Sequence, residues 1–333
     1  MRISCFSKVT AAAGSTALVL GIIGLAPHAG AQSAPTSCVP GISSLSAAIA
    51  AAQPGDVIVV DGLSNFGESI CVDKPLVFVS LSGSPAFTAT SGPTGGVNLP
   101  RGVFQIAPSV SGVVAFHNLQ IGGLSCFATT DSVMRGIYSY SPNVTLLVDG
   151  CTIGGADYNC GVGDSLANGA AGIEGSVARL VVKDSTITGG DGDLAFWGDF
   201  GCPFGPGATA GRGGDAVNVT GEVLLVRSTL AGGNGADAEG LLACCTPSLP
   251  VFATAGAGGS AVVATTTWSW GSTGTGGAGG MVTCGGSVLA QAPAGAPLPP
   301  GGISTLQVGA QPSLGGSAVF TLQNPAAQTA AIA

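Results

Sequence analysis

The sequence predicts an all-β fold in which short strands stack, repeat upon repeat, as a parallel β-helix or solenoid. Three observations predict it. The 333 residues include 57 Gly and 20 Pro, with 46% hydrophobic and only 8% charged residues, so the chain has enough apolar surface to fold. Strong helix formers other than Ala are few, and the abundance of Gly, Val, Thr and Ser favours strands and tight turns. One short motif also recurs along the chain, as it does in solenoid proteins.

The first 31 residues have the pattern of a secretory signal peptide. Arg2 and Lys8 provide a basic start, residues 9–26 are apolar or small, and Ala29-Gly30-Ala31 forms an A-x-A cleavage site. No later run of 18 apolar residues follows, so we expect no membrane span in the mature chain. The expected location is secreted, extracellular or at the cell surface, with the periplasm as the alternative.

The charge of the chain argues against two classes of partner. Its formal net charge is -8, and loss of Arg2 and Lys8 with the signal peptide makes the mature protein more acidic. An acidic surface repels nucleic acids and anionic membranes. We therefore expect no nucleic-acid partner.

A short amphipathic helix is predicted at 43–52, ahead of the first strand. Its apolar residues would share one face: Leu45, Ala48, Ile49 and Ala52. The segment 53–56, Gln-Pro-Gly-Asp, ends this helix and leads into a strand at 57–60. Because a stack of parallel strands has open ends, the helix would cap the first repeat.

Each repeat has an upstream strand that begins near a Gly and a downstream strand that ends in Gly-Gly. The downstream copies occupy 114–123, 147–155, 181–190 and 225–233, with a degenerate copy at 271–277. Alternation puts Ile121, Ile153 and Ile187 at equivalent inward positions. Stacking the repeats about 4.8 Å apart would bury one apolar column. We expect positive φ at the Gly-Gly corners, and a β-helix over 38–290.

A different composition marks the C-terminal end. Residues 291–302 are rich in Pro, Ala and Gly and are predicted to form a linker. In the tail, 303–333, two alternating segments at 304–308 and 317–322 predict antiparallel strands. Since two strands alone are marginally stable, the tail is interpreted as the start of a small β module.

The cap and the first repeat resemble a known family. Residues 46–60, Ser-Ala-Ala-Ile-Ala-Ala-Ala-Gln-Pro-Gly-Asp-Val-Ile-Val-Val, followed by 68–77, look like the start of proteins of the pectin-lyase-like superfamily. The Ser-Thr-Ile-x-Gly-Gly copies resemble its generic repeats. The resemblance covers roughly 38–287 and implies a right-handed parallel β-helix. The family includes polysaccharide lyases, glycoside hydrolases, esterases and surface proteins without known catalysis, so it implies the fold far more than the activity.

The scarcity of histidine excludes several catalytic classes. Only His117 remains after signal removal, so an H-E-x-x-H metalloprotease site is impossible, and no G-x-S-x-G nucleophile elbow occurs. In the repeat alignment His117, Asp149 and Lys183 share one position, where they would form a mixed-charge ladder on a solvated edge. The family's polygalacturonase-like signature of N-T-D, D-D, G-H-G and R-I-K is also absent, and its pectin-esterase set cannot be placed.

Lyases of this fold are the least excluded enzymes, because they need only carboxylates that hold Ca2+ and an Arg or Lys base. Carboxylates follow successive Gly-Gly pairs in the connectors: Asp157, Asp191, Asp193 and Asp237. Arg135 and Arg212 are the candidate bases in this interpretation. The alternative is that Asp beside Gly is the ordinary composition of turns. No cofactor other than Ca2+ is expected.

An aromatic loop provides a candidate ligand-binding surface. Phe196, Trp197 and Phe200 lie in the connector that starts at Asp191. Aromatic faces beside carboxylates are typical of sugar binding, and the expected partner is a polysaccharide or another cell-surface component. The alternative is a small satellite core that covers the flank of the β-helix.

The ten cysteines predict disulfides in a secreted chain. Loss of Cys5 with the signal peptide leaves an odd number. The expected partners are Cys38 with Cys71, Cys126 with Cys160, and Cys202 and Cys284 with the Cys244-Cys245 pair. Cys151 would then be unpaired, at an inward strand position.

Two functions remain. The favoured one is a secreted, non-catalytic β-helix that serves as a structural or glycan-binding module of the cell surface or extracellular matrix, because catalytic signatures are missing and titratable groups are few. The alternative is a Ca2+-dependent polysaccharide lyase that acts on acidic glycans with an Arg base.

Overall fold

The computed structural model describes residues 45–60, 70–81, 86–88, 102–122, 135–157, 168–193, 210–240, 254–284, 287–299, 305–308, 320–323 and 329–332. Strands dominate these residues, most of them pair in parallel, and one short helix accompanies them. The prediction of an all-β chain with parallel strands is therefore confirmed.

Helix α1 (Leu45–Ala51) begins the described chain. Leu45 and Ile49 are buried in the same core as the strands, as expected for residues four apart on one helix face. The Lys74 ammonium donates to the backbone oxygens of Ile49 and Ala52 at 3.1 and 3.2 Å, and so satisfies carbonyls at the end of the helix. The predicted helix is present over Leu45–Ala51; residues 43 and 44 lie outside the described part of the chain.

Three parallel ladders form the body of the described structure, and each repeat adds one strand to each ladder. Ladder 1 contains β2 (Ile70–Val72), β5 (Gly102–Ile106), β8 (Arg135–Ser139), the first part of β11 (Ile173–Lys183), the first part of β13 (Val217–Val226) and β16 (Val262–Val263). Ladder 2 contains β1 (Val57–Val59), β3 (Val77–Val79), β6 (Gly112–His117), β9 (Val144–Asp149), the later parts of β11 and β13, and β17 (Thr266–Trp270). Ladder 3 contains β4 (Ala86–Thr88), β7 (Gln120–Gly122), β10 (Thr152–Gly154), β12 (Thr186–Thr188), β14 (Thr229–Ala231) and β18 (Thr273–Thr275).

Inward side chains of the three ladders form one continuous apolar core. Ile121, Ile153, Ile187 and Leu230 pair directly in ladder 3 and are buried, which confirms the predicted column. Four buried phenylalanine rings pack together near the first repeats, with neighbouring centroids 5.0 to 5.4 Å apart: Phe78, Phe87, Phe104 and Phe116.

A left-handed residue marks the corner between ladders 2 and 3 in successive repeats: Asn118 (φ 55°), Gly150 (φ 64°), Asp184 (φ 47°), Arg227 (φ 46°) and Gly271 (φ 61°). Directly after these corners, small polar side chains join one repeat to the next. The Cys151 N–H donates to Ser185 Oγ at 3.0 Å, the Ser185 N–H to Ser228 Oγ at 3.3 Å, and the Ser228 N–H to Ser272 Oγ at 3.0 Å. Cys151 Sγ accepts from the Leu119 N–H in the same way, and we call the side chains of Cys151, Ser185, Ser228 and Ser272 the polar rungs.

Between ladder 3 and ladder 1 the chain runs out and back as extended, glycine-rich segments, which we call the glycine rows. The outgoing rows are 155–157, 189–193, 232–237 and 276–280, and the return rows are 168–171, 210–215, 254–260 and 292–298. Rows of the same direction bond at every third residue: the Ala210 N–H donates to the Thr254 oxygen at 2.8 Å and the Gly213 N–H to the Ala257 oxygen at 2.9 Å. A period of three is that of the polyproline II helix, which has no internal hydrogen bonds.

Outgoing and return rows are also bonded to each other. The Gly190 N–H donates to the Ala170 oxygen, the Gly214 N–H to the Gly190 oxygen and the Gly233 N–H to the Gly214 oxygen, each at 2.8 Å. A Cβ on Gly233 would overlap the backbone oxygen of Gly190. The rows therefore approach so closely that only glycine fits at these positions.

The glycine rows correct two sequence predictions. Positive φ was expected at the Gly-Gly corners, but none of the described Gly-Gly pairs has it. Glycine is needed at most of these positions because a neighbouring backbone leaves no room for a Cβ. The segment 291–302 was expected to be a linker, but 292–298 is a return row, in which the Gly295 N–H donates to the Gly277 oxygen at 2.9 Å and the Ala292 N–H to the Gly280 oxygen at 2.8 Å. Proline is accommodated there because its fixed φ suits the polyproline II conformation.

Two smaller sheets complete the described residues. Strand β15 (Ala238–Gly240) pairs in parallel with β19 (Met281–Cys284), which pairs antiparallel with β20 (Ser287–Gln291). Strands β21 (Thr305–Val308), β22 (Phe320–Gln323) and β23 (Thr329–Ile332) form an antiparallel sheet. Both strands expected in the tail are present, and β23 is one that sequence analysis missed.

Candidate functional site

The predicted mixed-charge ladder is present at the corner between ladders 2 and 3. His117 Nδ1 lies 3.1 Å from Asp149 Oδ2, and the Lys183 ammonium donates to Asp149 Oδ1 at 2.9 Å. Desolvation acts to lower the pKa of Lys183, but hydrogen bonds to Asp149 and Asp184 outweigh it and raise the pKa. Lys183 therefore stays protonated at neutral pH and is unsuited to act as a base.

The ladder of charges continues through the next two left-handed residues. The Arg227 guanidinium donates to both oxygens of Asp184, at 2.7 and 2.5 Å. These hydrogen bonds lower the pKa of Asp184 to about 2, against a smaller opposing effect of desolvation. The guanidinium also lies 5.6 Å from the ring centroid of Trp270, within the range of a cation–π contact. The corner is thus a neutralised, structural arrangement.

Arg135, one of the two candidate bases, is held by a carboxylate on the outer face of ladder 1. Its Nε donates to Glu174 Oε2 at 2.6 Å, and its guanidinium lies 5.8 Å from the ring centroid of Tyr138. Tyr138 packs edge-on against Tyr140, with centroids 4.6 Å apart. The carboxylate and the tyrosine ring together occupy the guanidinium, so these contacts support a structural role for Arg135.

Arg212, the other candidate base, lies in a return row. Its Nη2 donates to Asp215 Oδ1 at 2.6 Å, and the same oxygen accepts from the Ser260 N–H at 2.7 Å. The Asp215 side chain is 4% exposed, whereas the Arg212 side chain is 50% exposed. Among the described residues no contact joins Arg212 to Arg135, so the structure does not bring the two candidate bases together.

An open groove of about 550 Å³ crosses the return rows. Half of its described lining residues are Ala or Gly, and its polar side chains are Asn168, Arg212, Thr254 and Gln291. Arg212 is the charged residue of this lining. Sequence analysis contained no signal for the groove, because it arises from the packing of rows that are about 40 residues apart in the chain.

Three of the carboxylates in the Ca2+ interpretation cap backbone donors of the glycine rows. Asp157 Oδ1 accepts from the Asp191 N–H at 2.8 Å, and Asp191 Oδ1 accepts from the Asn234 N–H at 2.6 Å. Asp237 Oδ1 accepts from the Met281 N–H at 2.7 Å. In each case a short side chain satisfies a backbone donor one repeat further on.

The described residues contain no group of three His, Cys, Asp or Glu side chains that could hold a metal ion. Asp157, Asp191 and Asp237 each direct an oxygen to a different backbone N–H. Asp193 lies in the same row as Asp191, and its backbone oxygen accepts from the Gly211 N–H at 3.1 Å. Three of the four carboxylates are therefore engaged as caps, and Ca2+ binding by Asp157, Asp191, Asp193 and Asp237 stays a prediction.

Cys151 is unpaired and buried, as predicted. It is one of the polar rungs: its Sγ accepts from the Leu119 N–H at 3.5 Å and its thiol donates to the Asp149 oxygen at 3.4 Å. Burial raises the pKa of this thiol to about 12. The side chain therefore acts as a hydrogen-bonded, inert part of the core.

Cys71, the predicted partner of Cys38, is described in the structure, whereas Cys38 lies outside the described residues. Cys71 is a free thiol, and it is exposed because it alternates with buried Ile70 and Val72 and so points out of β2. Burial and the nearby Asp73 raise its pKa. Cys71 therefore lies outside the core, on the outer face of ladder 1.

Several predicted site residues lie outside the described part of the chain. They are Phe196, Trp197 and Phe200 of the aromatic loop, and Cys38, Cys126, Cys160, Cys202, Cys244 and Cys245. Cys284 is placed in β19 by its backbone alone. Sugar binding by the loop and the remaining disulfide pairs stay predictions.

Within the part of the chain that the structure describes, no helix is long and apolar enough to cross a membrane. No protein-family model, curated protein or solved structure matches the chain. Its function is therefore inferred from the contacts of its own residues.

Proposed function

We propose that the chain is a secreted, non-catalytic, right-handed parallel β-helix that serves as a structural or glycan-binding module of the cell surface or extracellular matrix. Three ladders that each gain one parallel strand per repeat support the β-helix. The resemblance of the cap and repeats to the pectin-lyase-like superfamily supports its right-handed sense. The signal-peptide pattern at the N-terminus supports secretion.

One observation carries the non-catalytic assignment: every Lys and Arg in the described residues is in an ion pair. The pairs are Lys74–Asp73, Arg135–Glu174, Arg179–Glu222, Lys183–Asp149, Arg212–Asp215 and Arg227–Asp184. A general base must be within hydrogen-bond reach of the proton that it abstracts, and a carboxylate partner occupies each of these side chains. Asp157, Asp191 and Asp237 cap backbone donors, and this structural use of carboxylates also supports the proposal.

The alternative function is a Ca2+-dependent polysaccharide lyase on acidic glycans. Of the two candidate bases, Arg212 is the more accessible to a substrate, because half of its side chain is exposed and it lines a groove. Arg135 is 29% exposed and is bound to Glu174.

Incubation with uronic-acid polymers and Ca2+, followed by ultraviolet absorbance of the unsaturated product, separates these functions. We expect no product above that of the buffer control. Product formation that is lost in Arg212→Gln or Arg135→Gln and retained in Arg179→Gln would overturn the non-catalytic proposal. Arg179 is the matched control because it is also paired with a carboxylate, Glu222.

The glycan-binding form of the proposal has its own test on a glycan array. We expect binding by the wild-type protein to weaken in Trp197→Ala, because loss of the indole removes an apolar plate for a sugar ring. Equal binding by both proteins would remove the aromatic loop from the proposal and leave the structural role.

A further inference from the structure

Each side chain that caps a glycine row accepts a hydrogen bond from the backbone N–H of the equivalent residue one repeat later. In the outgoing rows, Asp157 caps the N–H of Asp191, Asp191 caps that of Asn234, and Asn234 caps that of Ala278 at 2.9 Å. In the return rows, Asn168 Oδ1 accepts from the Arg212 N–H at 2.8 Å in the same way. A residue at this position therefore uses its side chain to satisfy the equivalent residue of the next row.

Ala257 is the residue that follows Arg212 in this series. The Gly169 N–H donates to the Arg212 oxygen, and one repeat later the Gly213 N–H donates to the Ala257 oxygen, both at 2.9 Å. A guanidinium has no acceptor atom, so Arg212 cannot cap the Ala257 N–H. No acceptor for that N–H occurs among the described residues.

The residue that follows Ala257 in the series has no N–H that needs an acceptor. The Gly258 N–H donates to the Pro293 oxygen at 3.0 Å, so Pro293 follows Ala257. Proline has no N–H and needs no cap. The Ala257 N–H is thus a backbone donor that its row leaves unused.

Ala257 and Arg212 both line the groove across the return rows. Asp215 lies almost fully buried behind Arg212 and holds one guanidinium nitrogen at 2.6 Å, while half of the Arg212 side chain is exposed. The groove is therefore lined by a residue whose N–H has no acceptor among the described residues and by a half-exposed arginine that Asp215 holds in place. Such a pair is complementary to a carboxylate.

We infer that this wall of the groove binds the carboxylate of an extended acidic peptide, which supplies the cap that Arg212 cannot. Short Asp and Asn side chains on extended segments fill the equivalent positions within the chain, so an Asp-bearing peptide reproduces a contact that the fold already uses. No aromatic ring is present among the described lining residues, so the groove lacks the plate that favours sugars. The inference is independent of the proposed function because it makes no assumption about catalysis.

Nuclear magnetic resonance of the full-length, isotope-labelled protein tests this inference. The probe is acetyl-Gly-Gly-Asp-Gly-Gly-amide, and the control is the same peptide with Asn in place of Asp. We expect the Asp peptide to shift the Ala257 amide resonance to saturation and the Asn peptide to bind at least about tenfold more weakly, which is about 1.4 kcal/mol.

Two variants remove the site in different ways. Arg212→Asn installs the missing internal cap, and Ala257→Pro deletes the donor as Pro293 does in the next row. With the Gly258 amide as the reporter, both should raise the Kd for the Asp peptide at least about tenfold. Arg179→Gln alters an ion-paired arginine of β11 and should bind as the wild type does.

An Asp peptide that leaves the Ala257 resonance unmoved would overturn the inference. Wild-type affinity in the folded Arg212→Asn or Ala257→Pro variant would also overturn it. Thermal unfolding identifies a variant that fails to fold, and the other variant then decides. Tighter binding of a galacturonate oligomer than of the Asp peptide would assign the groove to acidic glycans and reject the peptide.

Discussion

Replacement of Gly233 by Ala tests the glycine rows where their packing is tight. The new Cβ would overlap the backbone oxygen of Gly190, and a backbone atom cannot rotate away as a flexible side chain can. The row must shift, which lengthens the bond from the Gly233 N–H to Gly214 and the bond from the Gly259 N–H to Gly233, both 2.8 Å. The substitution therefore acts on the contacts that hold successive rows together.

The expected cost follows from these contacts. Overpacking of a close contact costs about 1–3 kcal/mol, and each weakened hydrogen bond costs about 0.5–1.5 kcal/mol. We expect Gly233→Ala to lower the free energy of unfolding by about 2–6 kcal/mol, measured by urea denaturation with m compared between variants.

Gly154→Ala is the matched control for this experiment. Gly154 ends β10, and the nearest atom to an added Cβ is Thr188 Oγ1 at 3.4 Å, which is ordinary contact. Its unfolding free energy should change by less than about 0.5 kcal/mol. A Gly233→Ala variant as stable as Gly154→Ala would refute the close approach of the rows.

Three further predictions concern a polar rung, the corner charges and the thiols. Cys151→Ser should unfold with nearly the wild-type free energy, because a serine, Ser185, already occupies the next rung. Cys151→Val leaves the Leu119 N–H without its acceptor, so its free energy of unfolding should fall by about 1–3 kcal/mol in the same denaturation assay. Equal stability of the two variants would count against the rung. The pKa of Asp184 in the folded chain is about 2, below its ordinary 3.8, so its stabilising contribution is full above the ordinary value and is lost as the pH falls toward 2. Asp184→Asn should flatten the stability profile in that pH range, and an unchanged profile would contradict the Arg227 pair. A thiol reagent followed by peptide mapping should modify Cys71 in the native protein and Cys151 only after unfolding, and rapid modification of native Cys151 would contradict its burial.

The ladders were predictable from sequence because their signals are local and periodic. Alternation of apolar residues defines the inward column, and the repeat then places Ile121, Ile153 and Ile187 in register. The same alignment predicted the contact between His117 and Asp149. Equivalent positions on stacked parallel strands must become neighbours.

The glycine rows could not be predicted from those signals. A polyproline II segment has neither apolar alternation nor internal hydrogen bonds, and its partners lie in other repeats. Glycine beside Asp or Asn is also the usual composition of turns. For this reason Asp157 and Asp191 suggested a metal site, whereas the structure uses both as caps on backbone donors.

The candidate groove shows the same limit for function. Arg212 attracted interest as a rare cation, but nothing in its local sequence indicates that Ala257, 45 residues away, lies beside it in the next row. That juxtaposition depends on the register of the return rows, through the bond from the Gly213 N–H to the Ala257 oxygen. Register between extended glycine segments leaves no pattern in side-chain polarity.

Amide hydrogen exchange of the glycine rows tests most directly whether they are hydrogen-bonded structure. The N–H groups of Gly190, Gly214, Gly233 and Gly259 each donate to the preceding row at 2.8 Å. We expect these amides to be protected as strongly as the amide of Ile187 in ladder 3. Exchange of the four glycine amides at the rate of an unstructured chain, with Ile187 protected, would contradict the bonded rows.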